Sequence, residues 1–295
     1  MKEIRQGDSN RLTREYFDSL LLEMRHIDGK EPDTSFTLYG KKFDTPVMTA
    51  ALSHLENICG EAMVETARGA ARAGAVNWVG TEDKEELQRI TQTGAGTVRI
   101  IKPYEDNDRI FEKIRQAEAC SVLAVGMDID YAFDPSGKRA DVSGDAMAPK
   151  SMEEIREFAT ACSLPFIIKG VLSERDAYKA LCAGAGGIVV SHHHGIMDYA
   201  LPPVMVLPSI LKVVSGQIPV FVECGISSGM DAFKALAMGA TAVCVGHAIV
   251  ESLKEKGEDG VCAAIKKMND ELKGIMAKTG CYDLSHMDKT VIHPI

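Results

Sequence analysis

The residues of this chain best suited to chemistry are Lys102, Asp128, Lys169, the run His192-His193-His194, and Glu223, and they share one kind of setting. Each follows a short, largely apolar run: Val98-Arg-Ile-Ile101, Val122 to Met127, Phe166 to Ile168, Ile188 to Val190 with Ser191, and Val220 to Val222. Histidines and carboxylates move protons, and lysines hold anionic groups, so the set is a catalytic inventory if the chain brings it together. A lysine that ends a buried strand also needs an anionic or polar partner. Glycine-bearing turns complete the set: Glu223-Cys-Gly225-Ile-Ser227-Ser-Gly229 and Gly246-His247. Such turns let backbone amides approach a phosphate at a helix start.

The elements that must position these groups follow from the apolar runs. Runs such as Phe166-Ile167-Ile168 and Ile188-Val189-Val190 lack polar alternation, as expected of parallel strands covered on both faces. The spacing predicts strands at 47–51, 75–79, 98–102, 122–128, 166–169, 188–191, 220–223 and 242–245. Helices are expected between them at 60–73, 84–92, 108–119, 151–162, 173–183, 207–214 and 229–238. Ser173 is positioned to cap its helix through Asp176, and Ser151 to Glu154 offers a capping box. Eight strands alternating with helices is the count of a (β/α)8 TIM barrel, read as one domain over residues 1–295, with an open doubly wound sheet as the competing fold. In a barrel all the strand ends converge, which puts the lysines, carboxylates and histidines around one pocket.

Outside the barrel the sequence predicts a helical cap from Arg11 to Arg25, with Tyr16, Phe17, Leu20, Leu21 and Met24 on one face. A short hairpin arm is expected at Ser35 to Lys42 with its turn at Gly40. Asp130 to Lys150 reads as a mobile loop over the carboxyl face, and about Gly260 to Lys278 as a last amphipathic helix.

Composition narrows the function class. A net charge of -9 argues against a nucleic-acid groove and leaves a small-molecule ligand. The apolar residues fall in short runs, none near the roughly 18 of a membrane span, and the polar start Met1-Lys-Glu-Ile-Arg-Gln has no signal-peptide core. The eight cysteines show no CxxC spacing, so they read as reduced core thiols of a cytoplasmic protein. No metal is expected: in an extended segment only His192 and His194 would share a face.

Several ordered segments resemble the FMN-dependent 2-hydroxy-acid oxidase and dehydrogenase family, which includes glycolate oxidase, lactate oxidase and flavocytochrome b2. They are Leu-Pro-Phe-Ile-Ile-Lys169-Gly-Val-Leu, Gly-Ile-Val-Val-Ser191-His-His193-His-Gly, Ile-Pro-Val-Phe-Val-Glu223-Cys-Gly225-Ile-Ser-Ser-Gly229-Met-Asp and Ala-Leu-Ala-Met-Gly-Ala-Thr-Ala-Val-Cys-Val-Gly246. Asp33 to Gly40, Pro46 to Ala50 and Met276 to Gly280 extend the likeness to about residues 33 to 290. The resemblance implies bound FMN and a commonly oligomeric assembly, here a homo-oligomer. It matches His193 to the active-site base, Asp128 to the carboxylate that orients it, and Lys169 to the lysine beside the flavin N1 edge. By the same likeness Ala50, Ala51, Ser191, Glu223, Gly225, Ser227, Gly229, Gly246 and His247 are expected against the cofactor.

The departures concern the substrate. The family's carboxylate-gripping arginine is Ile196 here, its strand-three tyrosine is Lys102, its strand-four threonine is Gly126, and its phosphate-side arginines are Ser227 and His247. Substrate contacts are expected from Lys102, His193 and Ile196, with Lys102, Lys138 or Arg139 as the replacement cation, although a lysine is a point charge and not a planar fork. The expected activity is oxidation of a 2-hydroxy acid or related CH–OH compound by hydride transfer to flavin. An FMN-dependent isomerase of the type 2 isopentenyl-diphosphate kind and a non-catalytic flavin-binding barrel are the alternatives.

Overall fold

The apolar runs form a parallel barrel. In the computed structural model of the chain, which describes residues 6–81, 83–142, 144–161 and 163–295, the strands are β1 (Val47–Thr49), β2 (Asn77–Val79), β3 (Thr97–Ile101), β4 (Ala124–Asp128), β5 (Phe166–Val171), β6 (Gly187–Val190), β7 (Val220–Val222) and β8 (Ala242–Val245). Neighbours in sequence are neighbours in the sheet, all parallel, and β8 returns to pair with β1. The ring closes through a parallel bridge between Leu52 and Val79, where the Gly80 N–H donates to the Leu52 carbonyl at 2.7 Å. Around it lie α2 (Ala62–Arg72), α3 (Lys84–Gln92), α4 (Asn107–Ala119), α5 (Met152–Thr160), α6 (Glu174–Cys182), α7 (Pro203–Val214), α8 (Gly229–Ala237) and α9 (His247–Thr279). The chain is a TIM barrel.

Alternate strand residues point inward. Met48, Trp78, Val98, Ile100, Ile167, Val189 and Phe221 fill the interior, with Trp78 edge-on to Phe221 at 5.1 Å. The expected hairpin, Phe36–Leu38 with Lys41–Phe43, closes the amino end, turning through Tyr39 and Gly40 at positive φ. Its Leu38 and Phe43 join the interior cluster, and the Tyr39 hydroxyl donates to the Gly186 carbonyl at 2.9 Å. The amino end is thus plugged by apolar side chains, and the carboxyl end is left for polar groups. Local capping follows the sequence: Ser173 accepts from the Asp176 amide, and Ser151 and Glu154 form the reciprocal capping box.

Three elements differ from their sequence expectation. The amino-terminal helix, α1 (Ser9–Asp18), ends early, and Leu20–Leu22 instead pairs antiparallel with Ile292–Pro294. Leu21 and Met24 are accordingly exposed, because a partner strand far along the chain overrides the local helical pattern. The segment from Asp130 to Lys150 holds more structure than a loop: a 3-10 turn at Ile129–Tyr131, a small hairpin of Asp141–Val142 with Asp145–Ala146, and a bridge from Tyr104 to Met147. The last helix begins directly after β8, interrupted by non-helical backbone at Lys256 and Gly257, so the expected helix is only its second part. Cys162, expected to end α5 as a core thiol, and Ser143 of the long connection lie outside the described residues. The described cysteines carry free thiols, with Cys120, Cys244, Cys262 and Cys281 buried.

Candidate active site

Five consecutive strands deliver charge or hydrogen-bonding groups to the carboxyl rim. Lys169, on β5, places its Nζ 2.8 Å from Asp128 Oδ1 of β4 and 3.0 Å from Glu223 Oε1 just past β7. Lys102, just past β3, reaches the other Asp128 oxygen at 2.9 Å and lies 4.2 Å from the Tyr131 ring centre. Ser191, just past β6, donates to Glu223 at 2.6 Å. The result is a buried chain from Lys102 through Asp128, Lys169 and Glu223 to Ser191. Burial by itself would raise the Asp128 carboxyl, but Lys169, Lys102 and His193 outweigh it and hold Asp128 well below the usual carboxylate range. Burial by itself would likewise lower Lys169, yet Asp128, Glu223 and Asp130 raise it well above the ordinary lysine value. Both groups stay ionised because each supplies the other's counter-charge.

The histidine run is a left-handed turn and not an extended segment: His193, His194 and Gly195 all have positive φ. The three rings therefore do not alternate. His192 turns inward, accepting at Nδ1 from the Gly195 N–H at 2.9 Å and meeting Thr13 Oγ1 with Nε2 at 2.8 Å. Since the Thr13 hydroxyl donates to the Ser9 carbonyl, His192 is the neutral tautomer with the proton on Nε2. Burial lowers its pKa and favours that form.

His193 finds a different carboxylate from the one its sequence match indicates. Its amide donates to Ser191 Oγ at 2.8 Å, and its Nδ1 lies 3.0 Å from Asp130 Oδ1 but 3.8 Å from Asp128. Asp128 is already held by two lysines, whereas Asp130 sits two residues on in the turn after β4. Gly170 makes the approach possible. It has φ +97 at a bulge in β5, and a Cβ there would come within 2.5 Å of the Asp130 carboxyl carbon. Tyr131 packs against the His193 ring with centroids 5.2 Å apart.

Beside these groups opens a cavity of about 490 Å³, within the range typical of cofactor sites. Of the residues expected at the cofactor, Ala50, Ala51, Lys169, Glu223, Gly225, Ser227, Gly246 and His247 line it, as does His193. Ser191 and Gly229 do not. Ser191 holds Glu223 and the histidine turn from behind, and the Gly229 amide is taken by Glu271 at 2.9 Å. A Cβ on Gly229 would meet the Met268 carbonyl at 2.4 Å, so this glycine serves the close packing of α8 on α9. Asp128 and Lys102 stand behind the lining, and Ile196 is 41% exposed away from it. Arg139 pairs with Glu105 and does not reach the cavity.

Sequence reading missed Asp130, Tyr131, Asn10, Arg14, Leu52 and Cys224 as site residues. Asp130 had a signal, a second carboxylate just past a strand end; Asn10 and Arg14 had none, since only docking of α1 brings them there. That docking is extensive: Asn10 donates to the His194 carbonyl, Ser9 to the Met197 carbonyl, the Tyr199 amide to the Gly7 carbonyl, and Lys234 to the Phe17 carbonyl. Cys224 lines the cavity as a neutral thiol, its pKa pushed up to about 11 by burial and by Glu223. Asp128, Asp130 and His193 bring ligand atoms within 4.8 Å of one another. A metal ion there would have to displace the ammonium groups that already neutralise Asp128.

The chain matches the family described as FMN-dependent dehydrogenase over residues 3–151 and 134–294. It is 29% identical to glycolate oxidase 1 of Zea mays, covering 94% of this chain and 85% of that protein, and 29% identical to the glycolate oxidase of Spinacia oleracea, covering 95% and 86%. Among solved structures it is similar to a mandelate oxidase variant carrying a monooxide FMN adduct, with a TM-score of 0.89 at 28% identity over 99% of this chain and 92% of that one. A mandelate oxidase with (S)-2-phenylpropionate gives the same TM-score at 27% identity, covering 99% and 90%.

The cavity fits the family's cofactor. Ala50, Ala51, Leu52, Cys244 and Val250 give apolar walls for a flat ring, and Lys169 brings a buried ammonium to the wall. Gly246 starts α9 with no side-chain cap, which leaves the first amides of that helix open to an anion. With this architecture, this cavity and a family match over nearly its whole length, the chain is a member of the FMN-dependent dehydrogenase family.

Proposed function

We propose that the protein oxidises a 2-hydroxy acid or a closely related small CH–OH compound, with FMN held in the cavity lined by Lys169 and the two glycine turns. The observation that carries this reading is the juxtaposition, at one cavity wall, of a carboxylate-held histidine and a buried, ion-paired lysine. FMN, when bound, supplies the hydride acceptor. With Nδ1 directed at Asp130, the His193 ring presents Nε2 as the base that takes the substrate's hydroxyl proton. Asp130 fixes that tautomer and steadies the imidazolium that results. Lys169 keeps a positive charge at the cavity wall throughout, because Asp128 and Glu223 hold it protonated. Asp128 acts at one remove: it holds both lysines through its two carboxylate oxygens.

The test is the visible spectrum of the purified protein, followed without oxygen while 2-hydroxy acids are added one at a time. Bleaching of a flavin spectrum by one of them is expected. His193→Ala is expected to retain the flavin and lose the bleaching. Unchanged bleaching in that variant would reject His193 as the base, and a protein that takes up no flavin when FMN is supplied would reject the whole reading.

A further inference from the structure

The cavity has to accommodate a phosphate monoester, which carries a charge of about -1.5 to -2 at pH 7, yet the permanent cation at its Lys169 wall is already matched by Asp128 and Glu223. Among the described residues, the remaining basic side chains of the lining are three imidazoles, His193, His194 and His247, and one guanidinium, Arg14. Imidazoles are not permanent cations. Arg14 comes from α1, ahead of the barrel, and shares the cavity wall with Gly225, Ser227, Gly246 and His247.

Its geometry is that of a clamp already aimed. Nη1 lies 2.9 Å from Asp231 Oδ1, and Nε and Nη2 lie 3.0 and 2.8 Å from Asp18 Oδ1. Each terminal nitrogen keeps a second N–H for a further oxygen. Asp231 is buried, and its other oxygen is taken by the Ser227 amide and by the hydroxyls of Ser227 and Ser228. The guanidinium is therefore fixed to the same turn whose backbone faces the cavity, while its second carboxylate partner, Asp18, is largely exposed and screened by solvent. Thr13, the preceding residue, lies against Gly225: a Cβ on that glycine would come within 2.6 Å of the Thr13 methyl.

We propose that Arg14 is the residue that recognises the phosphate of the cofactor, so that the amino-terminal helix is part of the flavin site and not only a cover over it. This rests on the reading of the cavity as an FMN site. A planar guanidinium with a spare N–H on each terminal nitrogen matches phosphate oxygens, and together with the open amides at Gly246 and His247 it would enclose the anion from two sides.

The experiment compares two ligands that differ only by the phosphate. The full-length chain, stripped of flavin, is titrated with FMN and with riboflavin, and binding is read from quenching of flavin fluorescence. Arg14→Ala is expected to weaken FMN binding by on the order of tenfold to a hundredfold, the usual effect of losing one charge-assisted contact, and to leave riboflavin binding unchanged. Arg14→Lys is expected to fall between, keeping the charge and losing the fork. Riboflavin binding by the variants shows that the cavity is formed, so loss of the FMN preference cannot be confused with misfolding. Equal weakening of both ligands would mean that Arg14 only holds α1 in place, and no weakening of either would mean that it does not meet the phosphate; both outcomes overturn the proposal. A wild-type chain that binds neither flavin would instead overturn the FMN reading beneath it.

Discussion

On its Lys169 side the cavity is bordered by charges that are buried and paired with one another; on its glycine-turn side it is bordered by a half-exposed arginine from a helix outside the barrel. The first arrangement is made by strand register. Lys169 pairs with Asp128 across β5 and β4 as direct neighbours in the sheet, and Lys102 and Glu223 reach in from the ends of β3 and β7. The second is made by docking, through side-chain to backbone hydrogen bonds that tie α1 to the histidine turn and to α8. Charges set by register cannot leave without breaking the sheet, so they suit a task in which the field must stay constant. Charges set by docking depend on a separable segment, and they suit a group that is gained and lost as a unit.

The sharpest way to break this comparison is Lys169→Met. It would leave Asp128 and Glu223 buried with one cation fewer, and the expected cost is about 3–5 kcal/mol of unfolding free energy together with loss of the flavin. Urea unfolding measures it; a cost below about 1 kcal/mol would show that solvent reaches these carboxylates.

Asp130→Asn and Asp128→Asn separate the two acids. The first is expected to keep stability and flavin yet slow flavin bleaching by on the order of a hundredfold, since on the proposed mechanism His193 loses its orienting carboxylate. The second is expected to lose stability first, because two lysines lose their partner. Stopped-flow reduction alongside urea unfolding reads both, and the reverse pattern would return the orienting role to Asp128.

The pH dependence of stability follows from the directions of shift. Asp128 has a lowered folded pKa, so its contribution is complete above the ordinary carboxylate value of 3.8 and is lost as pH falls toward its folded value. Lys169 is raised, so its contribution is complete below 10.5 and is lost only as pH climbs toward its folded value. His192 is lowered from 6.5, and its contribution is therefore present above that value and lost on mild acidification, when a proton on Nδ1 would face the Gly195 N–H. The smallest expected effect lies here. Thr13→Val should cost about 1 kcal/mol and leave the loss between pH 7 and 5 in place, because burial and the Gly195 N–H at Nδ1 are untouched, whereas His192→Gln should remove most of that loss, as measured by urea midpoints across that range. An unchanged acid limb in His192→Gln would place the sensitivity elsewhere.

Much of the fold was legible because it rests on local pattern. Short β-branched runs, helices between them and caps at Ser151 and Ser173 specify eight alternating strand–helix units, the count of a barrel, without knowledge of any long-range contact. The lysines, carboxylates and histidines were legible as a set, since a strand's last residue has to emerge at the rim. Partner choice was less so. Which carboxylate holds His193 depends on a left-handed turn and on the missing Cβ of Gly170, and neither is visible in residue types alone. Gly229 looked like a phosphate glycine and serves helix packing, because both uses demand the same absence of a side chain. The amino-terminal segment was the least legible: Leu20–Leu22 reads as helix until Ile292–Pro294 arrives to pair with it, and Arg14 reads as a surface cation until α1 docks.

What the sequence by itself determined is therefore the eight strand–helix units and the chemical groups at their strand ends, both consequences of apolar patterning, whereas closure into a barrel came from the long-range pairing of β8 with β1 and of Leu52 with Val79. What only the tertiary structure decided is which of those groups meet. Hydrogen-bond and ion-pair partners are fixed by turns, bulges and docked helices, whose contacts join residues far apart in the chain.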